Sequence, residues 1–201
     1  KVPSPEDPTG VVLVTSDAHA GIRAAVRAIL PGAAWQRCRV HFARTITSRL
    51  GSARSKPVNA LVSTIFAQTT PEAVAAQYKH VIDTLRDAFP EIAQMLKDAE
   101  PDLTAFAAFP REHWTKIWSN NPIERLNREI KRRADVVQVF PDRDSVTRLI
   151  GSVLLEQHEE WQYGERRYLS QTSLQRLTDM LQADNSTDGV NSRPALPPIT
   201  T

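Results

Sequence analysis

The stretch VVLVTSDAHAGI, residues 11–22, changes abruptly from apolar to polar and predicts the centre of the fold. Residues 11–15 are all β-branched or leucine, a run that is apolar on both faces and therefore predicts a buried strand. The run ends at Ser16 and Asp17. Because the end of a buried strand is a common place for chemistry, Asp17 is a candidate catalytic or metal-binding residue.

The residues after Asp17 predict a strand–helix–strand unit. Residues 20–30 have helical spacing, and Pro31-Gly32 stops the helix. One face of this helix carries Ile22, Val26 and Ile29. Residues 34–40 alternate weakly and predict a second strand, followed by a helix over 41–50. Such a unit is the start of an α/β layer.

The rest of the chain is predicted to be helical. Residues 56–99 carry helical spacing with few β-branched clusters, which predicts an all-helical block. Further helices are predicted over 145–160 and 163–181. The residues beyond them lack periodicity and predict a disordered tail. The chain is therefore expected to be helix-rich overall.

The composition excludes several classes of protein. The 201 residues are 41% hydrophobic, enough for one domain with an insertion. Cys38 is the only cysteine, which excludes an internal disulfide and suits a reducing cytosol. No run approaches the roughly 18 apolar residues of a membrane span, and the Pro-rich start is not a signal peptide. We therefore expect a cytoplasmic protein with no membrane partner. The missing initiator methionine suggests a piece of a longer protein.

A basic cluster lies between Asn121 and Arg133. Its five cations outnumber its two acids, Glu124 and Glu129. The cluster fits the phosphate backbone of DNA. It equally fits a solvated helix face with i,i+4 ion pairs, such as Glu124 with Arg128 and Glu129 with Arg133. The cations are Arg125, Arg128, Lys131, Arg132 and Arg133.

Glu124 has two interpretations. Asn121 is a good N-cap and Pro122 suits the first helical turn, so Glu124 falls at the third helical position, where a carboxylate completes a capping box. The same carboxylate is equally placed to bind a metal. The pattern alone leaves both roles open. The inward face of this helix is predicted to carry Ile123, Leu126, Asn127 and Ile130.

Several motifs occur in an order that resembles a known family. They are DAHAGI at 17–22, WQRCRVHFAR at 35–44, IWSNNPIERLNREIKRRADVV at 117–137, VFP at 139–141 and ERRYL at 165–169. Together, over residues 11–170, they resemble the bacterial Mutator-type insertion-sequence transposases. The resemblance implies an α/β, ribonuclease H-like core with a DDE carboxylate triad and a helical insertion before the Glu. Asp17 then corresponds to the second Asp of the triad, and Glu124 to its Glu.

The resemblance implies a domain plan and a chemistry. The plan has a non-matching segment at 1–10, a partial core at 11–50, a helical insertion at 51–115, C-terminal catalytic-core helices at 116–181 and the disordered tail at 182–201. The chemistry is phosphodiester transfer with two Mg²⁺ ions, for which Mn²⁺ can substitute, held by Asp17 and Glu124. The implied partners are DNA, both terminal repeats and target, and further copies of the chain assembled on that DNA.

The sequence also departs from the family. The first Asp of the triad belongs on an earlier strand, and Glu6 and Asp7 lie in a Pro-flanked segment that does not predict one. We therefore assign the first Asp to no residue and expect the early strands of the core to be missing. The family's N-terminal DNA-binding region is absent as well. The fragment alone is expected to be inactive. The alternative is a non-catalytic DNA-binding or assembly module, or a decayed transposase remnant.

Smaller departures and two further motifs complete the pattern. Thr45, Asn120 and Gln138 stand where the family usually has Asn, Thr and Gly. Cys38 and His41 form a CxxH motif that recurs in the family, and its role is either structural or part of a zinc site, which needs about four ligands. Trp114 and Trp118 lie one helical turn apart and either pack in the core or stack on a displaced base.

Overall fold

A computed structural model describes residues 10–30, 32–163 and 168–187. The described chain is rich in helix and contains a small parallel sheet of two strands. It divides into two compact units. The first contains the described residues up to Ser119 and those from Gln175 onward, and the second contains Asn120–Leu174. Among the described helices, none is long and apolar enough to cross a membrane.

The first unit begins with the predicted strand–helix–strand arrangement. Strand β1 spans Leu13–Ser16, helix α1 spans Ala20–Ile29 and strand β2 spans Ala34–Arg37. The strands pair in parallel, from Leu13 opposite Ala34 to Ser16 opposite Arg37. Because parallel strands end at the same edge, the residues after Ser16 and Arg37 lie side by side.

Three details of that prediction are wrong. Strand β1 is half-exposed along its length instead of buried, because within the described residues it pairs only with β2. Of the predicted apolar face of α1, Val26 is buried, but Ile22 is 40% exposed and Ile29 is 64% exposed. The second strand also ends at Arg37, before residue 40, because the next helix already begins at Arg39.

The predicted helical block is confirmed. Helix α2 spans Arg39–Ser63 and is interrupted at Gly51, whose φ of 76° and ψ of 164° are not helical. A 3₁₀ turn follows at Thr64–Ala67, then helices α3 (Pro71–Leu85) and α4 (Pro90–Thr104). Short 3₁₀ turns at Ala105–Ala108 and Arg111–His113 lead to helix α5, Trp114–Ile117.

The core of the first unit lies among these helices. Trp114 and Trp118 are only 1% and 7% exposed and belong to it. Their rings contact Phe106 at centroid distances of 5.0 Å and 5.5 Å. The Trp114 indole N–H donates to the carbonyl of Phe109 at 2.7 Å. Both tryptophans therefore pack in the core, and the base-stacking interpretation is wrong.

The Gln36 side chain joins the sheet to the helical block. It is fully buried on β2. Its Nε2 donates to the carbonyl of Leu103 at 3.0 Å, and its Oε1 accepts from the backbone N–H of Phe106 at 2.8 Å. A second bond runs from Nε2 to the carbonyl of Arg37 at 2.9 Å. The amide thus satisfies backbone groups at the end of α4 that would otherwise be buried without partners.

The second unit is built from the basic helix and its neighbour. Helix α6 spans Asn121–Val137 and packs with helix α7, Arg143–Tyr163. No residue of α6 is buried. The predicted inward face is therefore wrong in part, because Leu126 and Ile130 are half-buried while Ile123 is 51% exposed and Asn127 is exposed.

The last described helix extends into the segment that was predicted to be a disordered tail. Helix α8 spans Gln171–Thr187, and its first residues, up to Leu174, belong to the second unit. Residues 182–187 are helical, so the prediction of disorder from 182 is wrong there. These residues contain no Gly or Pro, and the first strong helix breaker is Gly189. The rest of the predicted tail, 188–201, lies outside the described residues, as do residues 164–167 of the ERRYL region.

Helix α6 ends in a strained turn at Gln138. The residue has φ 63° and ψ −57°, and it is the non-glycine residue with positive φ in the described chain. The N–H of Val139 donates to the carbonyl of Val137 at 2.7 Å, which closes a γ-turn around Gln138. A γ-turn with positive φ is rare and strained for a residue with a Cβ atom. The resemblance noted above implies glycine at this position.

We expect Gln36→Leu to lower the free energy of unfolding by about 2–4 kcal/mol, because it keeps the volume but leaves a buried donor and a buried acceptor without partners. Chemical denaturation measures the change. Gln94→Leu, at an exposed position of α4, is the matched control and should stay within about 0.5 kcal/mol of the parent. Equal stability of the two variants would contradict the role given to Gln36.

We expect Gln138→Gly to raise the free energy of unfolding by about 1 kcal/mol, because glycine relieves the strain at positive φ. Gln138→Ala keeps the Cβ atom and should give no such gain. Denaturation followed by helical circular dichroism compares the three proteins. A gain for alanine equal to that for glycine would show that the backbone at this position is not strained.

Candidate metal and nucleic-acid site

Asp17 lines a cleft at the edge of the sheet where both strands end. The cleft has a volume of about 430 Å³. It lies where helices α1 and α2 begin, so the partial positive charge of two helix N-termini is near it. The lining is mostly polar and carries two arginines and two histidines beside one carboxylate. Its residues are Asp17, Ala18, His19, Arg37, His41, Arg44, Thr45 and Ser48.

The Asp17 carboxylate has a buried oxygen. Its Oδ1 is inaccessible to solvent and accepts no hydrogen bond from any residue of the described chain. The backbone around it is fixed: the Ser16 hydroxyl donates to the carbonyl of Asp17, and the indole N–H of Trp35 donates to that hydroxyl, both at 2.8 Å. A buried carboxylate oxygen without a donor is costly unless a cation compensates it. Asp17 therefore fits a metal ligand.

The CxxH motif lies beside Asp17. Cys38 is fully buried at the N-cap of α2, and its N–H donates to the carbonyl of Ser16 at 2.7 Å. The Nε2 atom of His41 lies 3.3 Å from a guanidinium nitrogen of Arg44. Within the described residues, no three His, Cys, Asp or Glu side chains form a group that would hold a metal. The role of the motif, structural or part of a zinc site, stays a prediction.

Arg37 and Arg44 differ in their surroundings. The Arg37 guanidinium stacks over the ring of Phe42 at 4.8 Å, and burial lowers its pKa, although the nearby Asp102 carboxylate opposes this effect. Burial raises the pKa of Asp102, against the effect of Arg23, which pairs with it at 3.5 Å. Arg37 thus belongs to a half-buried charge network, whereas Arg44 is exposed.

Glu124 lies one position further into its helix than predicted. Helix α6 begins at Asn121, and the N-cap is Asn120, whose side chain makes no capping hydrogen bond. The backbone N–H of Glu124 donates to the carbonyl of Asn120 at 3.1 Å. Glu124 is therefore the fourth helical residue, not the third, and the predicted capping box with Asn121 as N-cap is wrong. Its Oε1 atom is inaccessible to solvent.

The basic cluster separates into two groups. Arg132 donates to the Glu129 carboxylate through two nitrogens, at 2.9 Å and 2.7 Å. Arg133 pairs with Glu129 at 2.8 Å and with Glu156 at 2.7 Å, which confirms the predicted Glu129–Arg133 pair. The hydrogen bonds from Arg132 and then Arg133 lower the pKa of Glu129 to about 2.

The other three cations are exposed. They are Arg125, Arg128 and Lys131. Within the described chain, Arg128 and Lys131 make no ion pair. The helix therefore combines the two interpretations made from the sequence: part of its charge is neutralised by neighbouring carboxylates, and part is available to a polyanion.

The candidate site residues fall in both units. Asp17, Cys38 and His41 belong to the first unit, and Glu124 and the five basic residues belong to the second. The convergence of Asp17 and Glu124 on one metal pair stays a prediction. Sequence reasoning did not single out His19 or Arg44 as site residues. The only signal was their position inside the DAHAGI and WQRCRVHFAR motifs.

Comparisons with known proteins name one family. The profile of the family described as "Transposase, Mutator family" matches residues 8–164. The chain is 54% identical, over 184 residues, to the transposase for insertion sequence element IS1081 of Mycobacterium tuberculosis, covering 90% of this chain and 42% of the relative. It is 34% identical, over 163 residues, to the transposase for IS256 in transposon Tn4001 of Staphylococcus aureus, covering 80% of this chain and 42% of the relative. The chain thus spans less than half the length of these relatives.

Proposed function

Because the chain belongs to the Mutator family of transposases, we propose that it is part of the catalytic domain of an insertion-sequence transposase. The complete enzyme cuts DNA at the ends of its element and joins those ends to a target. The reaction is metal-dependent phosphodiester transfer. This chain alone is inactive, since it contains no residue assigned as the first Asp of the triad.

We propose that strands β1 and β2 with helix α1 form one part of a ribonuclease H-like core. The parallel pairing of these strands supports this fold, as does the helical block that follows them. The early strands that carry the first Asp would complete the sheet. In this arrangement helices α3 and α4 belong to an insertion, and α6, which follows the insertion, carries Glu124.

Asp17 and Glu124 would hold the metal ions, Mg²⁺ or the substitute Mn²⁺. Bound at such a site, two divalent ions activate the attacking oxygen and stabilise the leaving oxygen of a phosphodiester. The chain's own contribution is rigidity: Ser16 and Trp35 fix the backbone that carries the Asp17 carboxylate. The observation that carries this proposal is the buried Oδ1 of Asp17, which accepts no hydrogen bond within the described chain.

DNA is the proposed partner of the basic helix α6. Arg125, Arg128 and Lys131 would contact phosphates directly because they are exposed. Arg132 and Arg133 would contribute less, since Glu129 and Glu156 already neutralise them. We propose that the complete enzyme assembles as a homo-oligomer on its terminal repeats, in the cytoplasm.

We expect Glu124→Gln and Asp17→Asn each to reduce strand transfer by more than about 100-fold, because the metal contribution is worth several kcal/mol. The measurement uses a chimaera in which residues 11–170 replace the matching segment of the IS1081 transposase. It follows the joining of IS1081 ends to a plasmid with Mg²⁺. A thermal melt confirms that each variant folds.

Asp135→Asn is the matched control for that experiment, because it removes a carboxylate from an exposed position of the same helix as Glu124. It should leave strand transfer within about twofold of the parent, since an isolated exposed charge has little effect. A folded Glu124→Gln chimaera with near-normal strand transfer would contradict the catalytic assignment. The non-catalytic DNA-binding or assembly module would then be the better account.

We expect the chain to bind duplex DNA without sequence preference, and the double change Arg128→Gln with Lys131→Gln to reduce the salt slope. Each lost phosphate contact lowers the slope of log K against log salt by about 0.9, so the expected change is about 1.8. Fluorescence anisotropy at several salt concentrations measures it. Arg132→Gln should lower the slope by less than about 0.9, because Glu129 holds Arg132. If the slope is unchanged in the double variant, the basic cluster is only a solvated helix face and makes no phosphate contacts.

A further inference from the structure

Asp102 places a carboxylate of the helical block beside two arginines of the strand–helix–strand unit. It lies near the end of α4, and its side chain is 13% exposed. A guanidinium nitrogen of Arg23, on α1, lies 3.5 Å from its Oδ2 atom. Arg37, the last residue of β2, is close enough for its charge to interact with that of Asp102. One carboxylate of α4 is therefore the shared counter-ion of cations on α1 and β2.

Burial determines what this group of charges contributes. It raises the pKa of Asp102, whereas Arg23 and then Arg37 lower that pKa. Replacing a buried ion pair by apolar residues of similar volume often leaves stability unchanged, so stability alone does not account for charged residues here. A charge also restricts where its partner lies, because moving the partner leaves a half-buried charge uncompensated.

Arg23 extends this restraint to Trp35. Its guanidinium lies over the indole ring, 4.6 Å from the ring centroid. A guanidinium between a carboxylate and an aromatic face is attracted to both, and its flat shape suits the stack. Trp35 is a buried residue of β2, opposite Val14 of β1. The face of the indole is therefore restrained by the arginine that Asp102 holds.

Trp35 extends the restraint to Asp17. Its indole N–H donates to the Ser16 hydroxyl, and that hydroxyl donates to the carbonyl of Asp17, both at 2.8 Å. A hydroxyl has one proton, so donating it to Asp17 fixes the direction from which the hydroxyl accepts. Three side chains thus connect the carboxylate of α4 to the backbone of the candidate metal ligand. They are Arg23, Trp35 and Ser16.

We infer that Asp102 is a positioning residue for Asp17. It acts through the three side chains just named, which fix the backbone from which the Asp17 carboxylate reaches a metal ion. The inference rests on the proposed function and deepens it, because it gives the helical block a role in the metal site. In this role Asp102 contacts neither the metal nor the DNA.

The indole N–H signal of Trp35 tests the first step. Asp102→Asn keeps the size of the side chain and removes its charge, so Arg23 loses its counter-ion and the Trp35 signal should move. A ¹H–¹⁵N correlation spectrum of the whole chain measures the shift, and Trp35→Phe identifies the signal by its loss. An unmoved signal in a folded Asp102→Asn variant would overturn the inference.

Asp98→Asn is the matched control. Asp98 is an exposed carboxylate one turn before Asp102 on α4, and it lines the same cleft. Within the described residues its printed partner is Gln94, which donates to it at 2.7 Å and does not belong to the connection to Asp17. The control should leave the Trp35 signal in place. An equal shift in both variants would show a general effect of charge and would also overturn the inference.

The Mg²⁺ requirement of strand transfer tests the second step, in the chimaera with the IS1081 transposase described above. Asp102→Asn should raise the Mg²⁺ concentration for half-maximal strand transfer about three- to tenfold, less than the roughly 10–100-fold typical of residues bonded directly to a metal ligand. The rate at saturating Mg²⁺ should stay within about twofold of the parent, because saturating metal shifts Asp17 back to its binding position. A purely structural defect would lower that rate and leave the half-maximal concentration unchanged.

Arg23→Gln shows whether Asp102 acts through Arg23. It should raise the half-maximal Mg²⁺ concentration at least as much as Asp102→Asn, and the double variant should raise it no further than Arg23→Gln alone. Independent, additive increases would overturn the inference. Asp102→Glu keeps the charge and should recover part of the parent's value. If Asp102→Asn does not fold, Arg23→Gln gives both readouts, the Trp35 signal and the Mg²⁺ requirement.

Failure of this inference and failure of the proposed function give different results. If Asp17→Asn leaves strand transfer near normal, the metal assignment and the positioning role both fall. If Asp17→Asn abolishes strand transfer while Asp102→Asn and Asp98→Asn require the same Mg²⁺ concentration, the positioning role alone falls. A moved Trp35 signal together with a raised Mg²⁺ requirement, both specific to Asp102→Asn, is the result that we expect.

Discussion

The buried amide of Gln36 is the contact on which the first unit depends. It bonds to backbone groups at Leu103 and Phe106, and so fixes strand β2 against the helical block. Strand β1 has β2 as its only neighbour in the described sheet. The position of Ser16, and therefore of Asp17, depends in part on β2. The Gln36 side chain thus helps to connect the helices that form the core to the sheet whose edge carries the candidate site, together with the bond from the Thr15 hydroxyl to the carbonyl of Ile117.

Charge is arranged differently in the two units. In the second unit, Glu129 and Glu156 neutralise Arg132 and Arg133, and the exposed cations lie elsewhere on α6. In the first unit, the cations lie beside the carboxylate that would bind metal. A sequence-independent surface needs only exposed charge, whereas a reacting phosphate needs donors held in fixed directions.

The sequence predicted the helices and strands better than it predicted which of their residues are buried. The run of residues 11–15 and the helical spacing after it were sufficient to predict β1, α1 and β2, and Asp17 at the end of a strand. Burial was not predictable in the same way, because it depends on neighbours: Ile22 and Ile29 are exposed although their spacing is amphipathic. The burial of Gln36 was not predicted either. A glutamine in a weakly alternating strand suggests exposure, yet its partners are 67 and 70 residues away.

The candidate site could likewise be predicted from the sequence only in part. Glu124 was located by its motif. Its position in the helix depends on whether Asn120 or Asn121 is the N-cap, and residue type cannot decide this because both are asparagine. The end of the predicted strand singled out Asp17, and the resemblance assigned Asp17 and Glu124 to one triad. The contacts of His19 with Gly21 and of Arg44 with His41 emerged only from the fold.

The hydrogen bonds from Trp35 to Ser16 and from Ser16 to Asp17 link the environment of the Trp35 indole to the position of Asp17. Trp35 is 3% exposed. Its indole N–H begins a series of two hydrogen bonds that reaches the backbone of the candidate metal ligand, Asp17. Indole emission responds to the polarity at its N–H, so a movement of Asp17 changes the spectrum of Trp35. Trp114 and Trp118 lie in the core with Phe66 and Phe106, and Trp161 is 41% exposed. A ligand that moves the backbone of Asp17 is therefore expected to change the emission of Trp35, without a label.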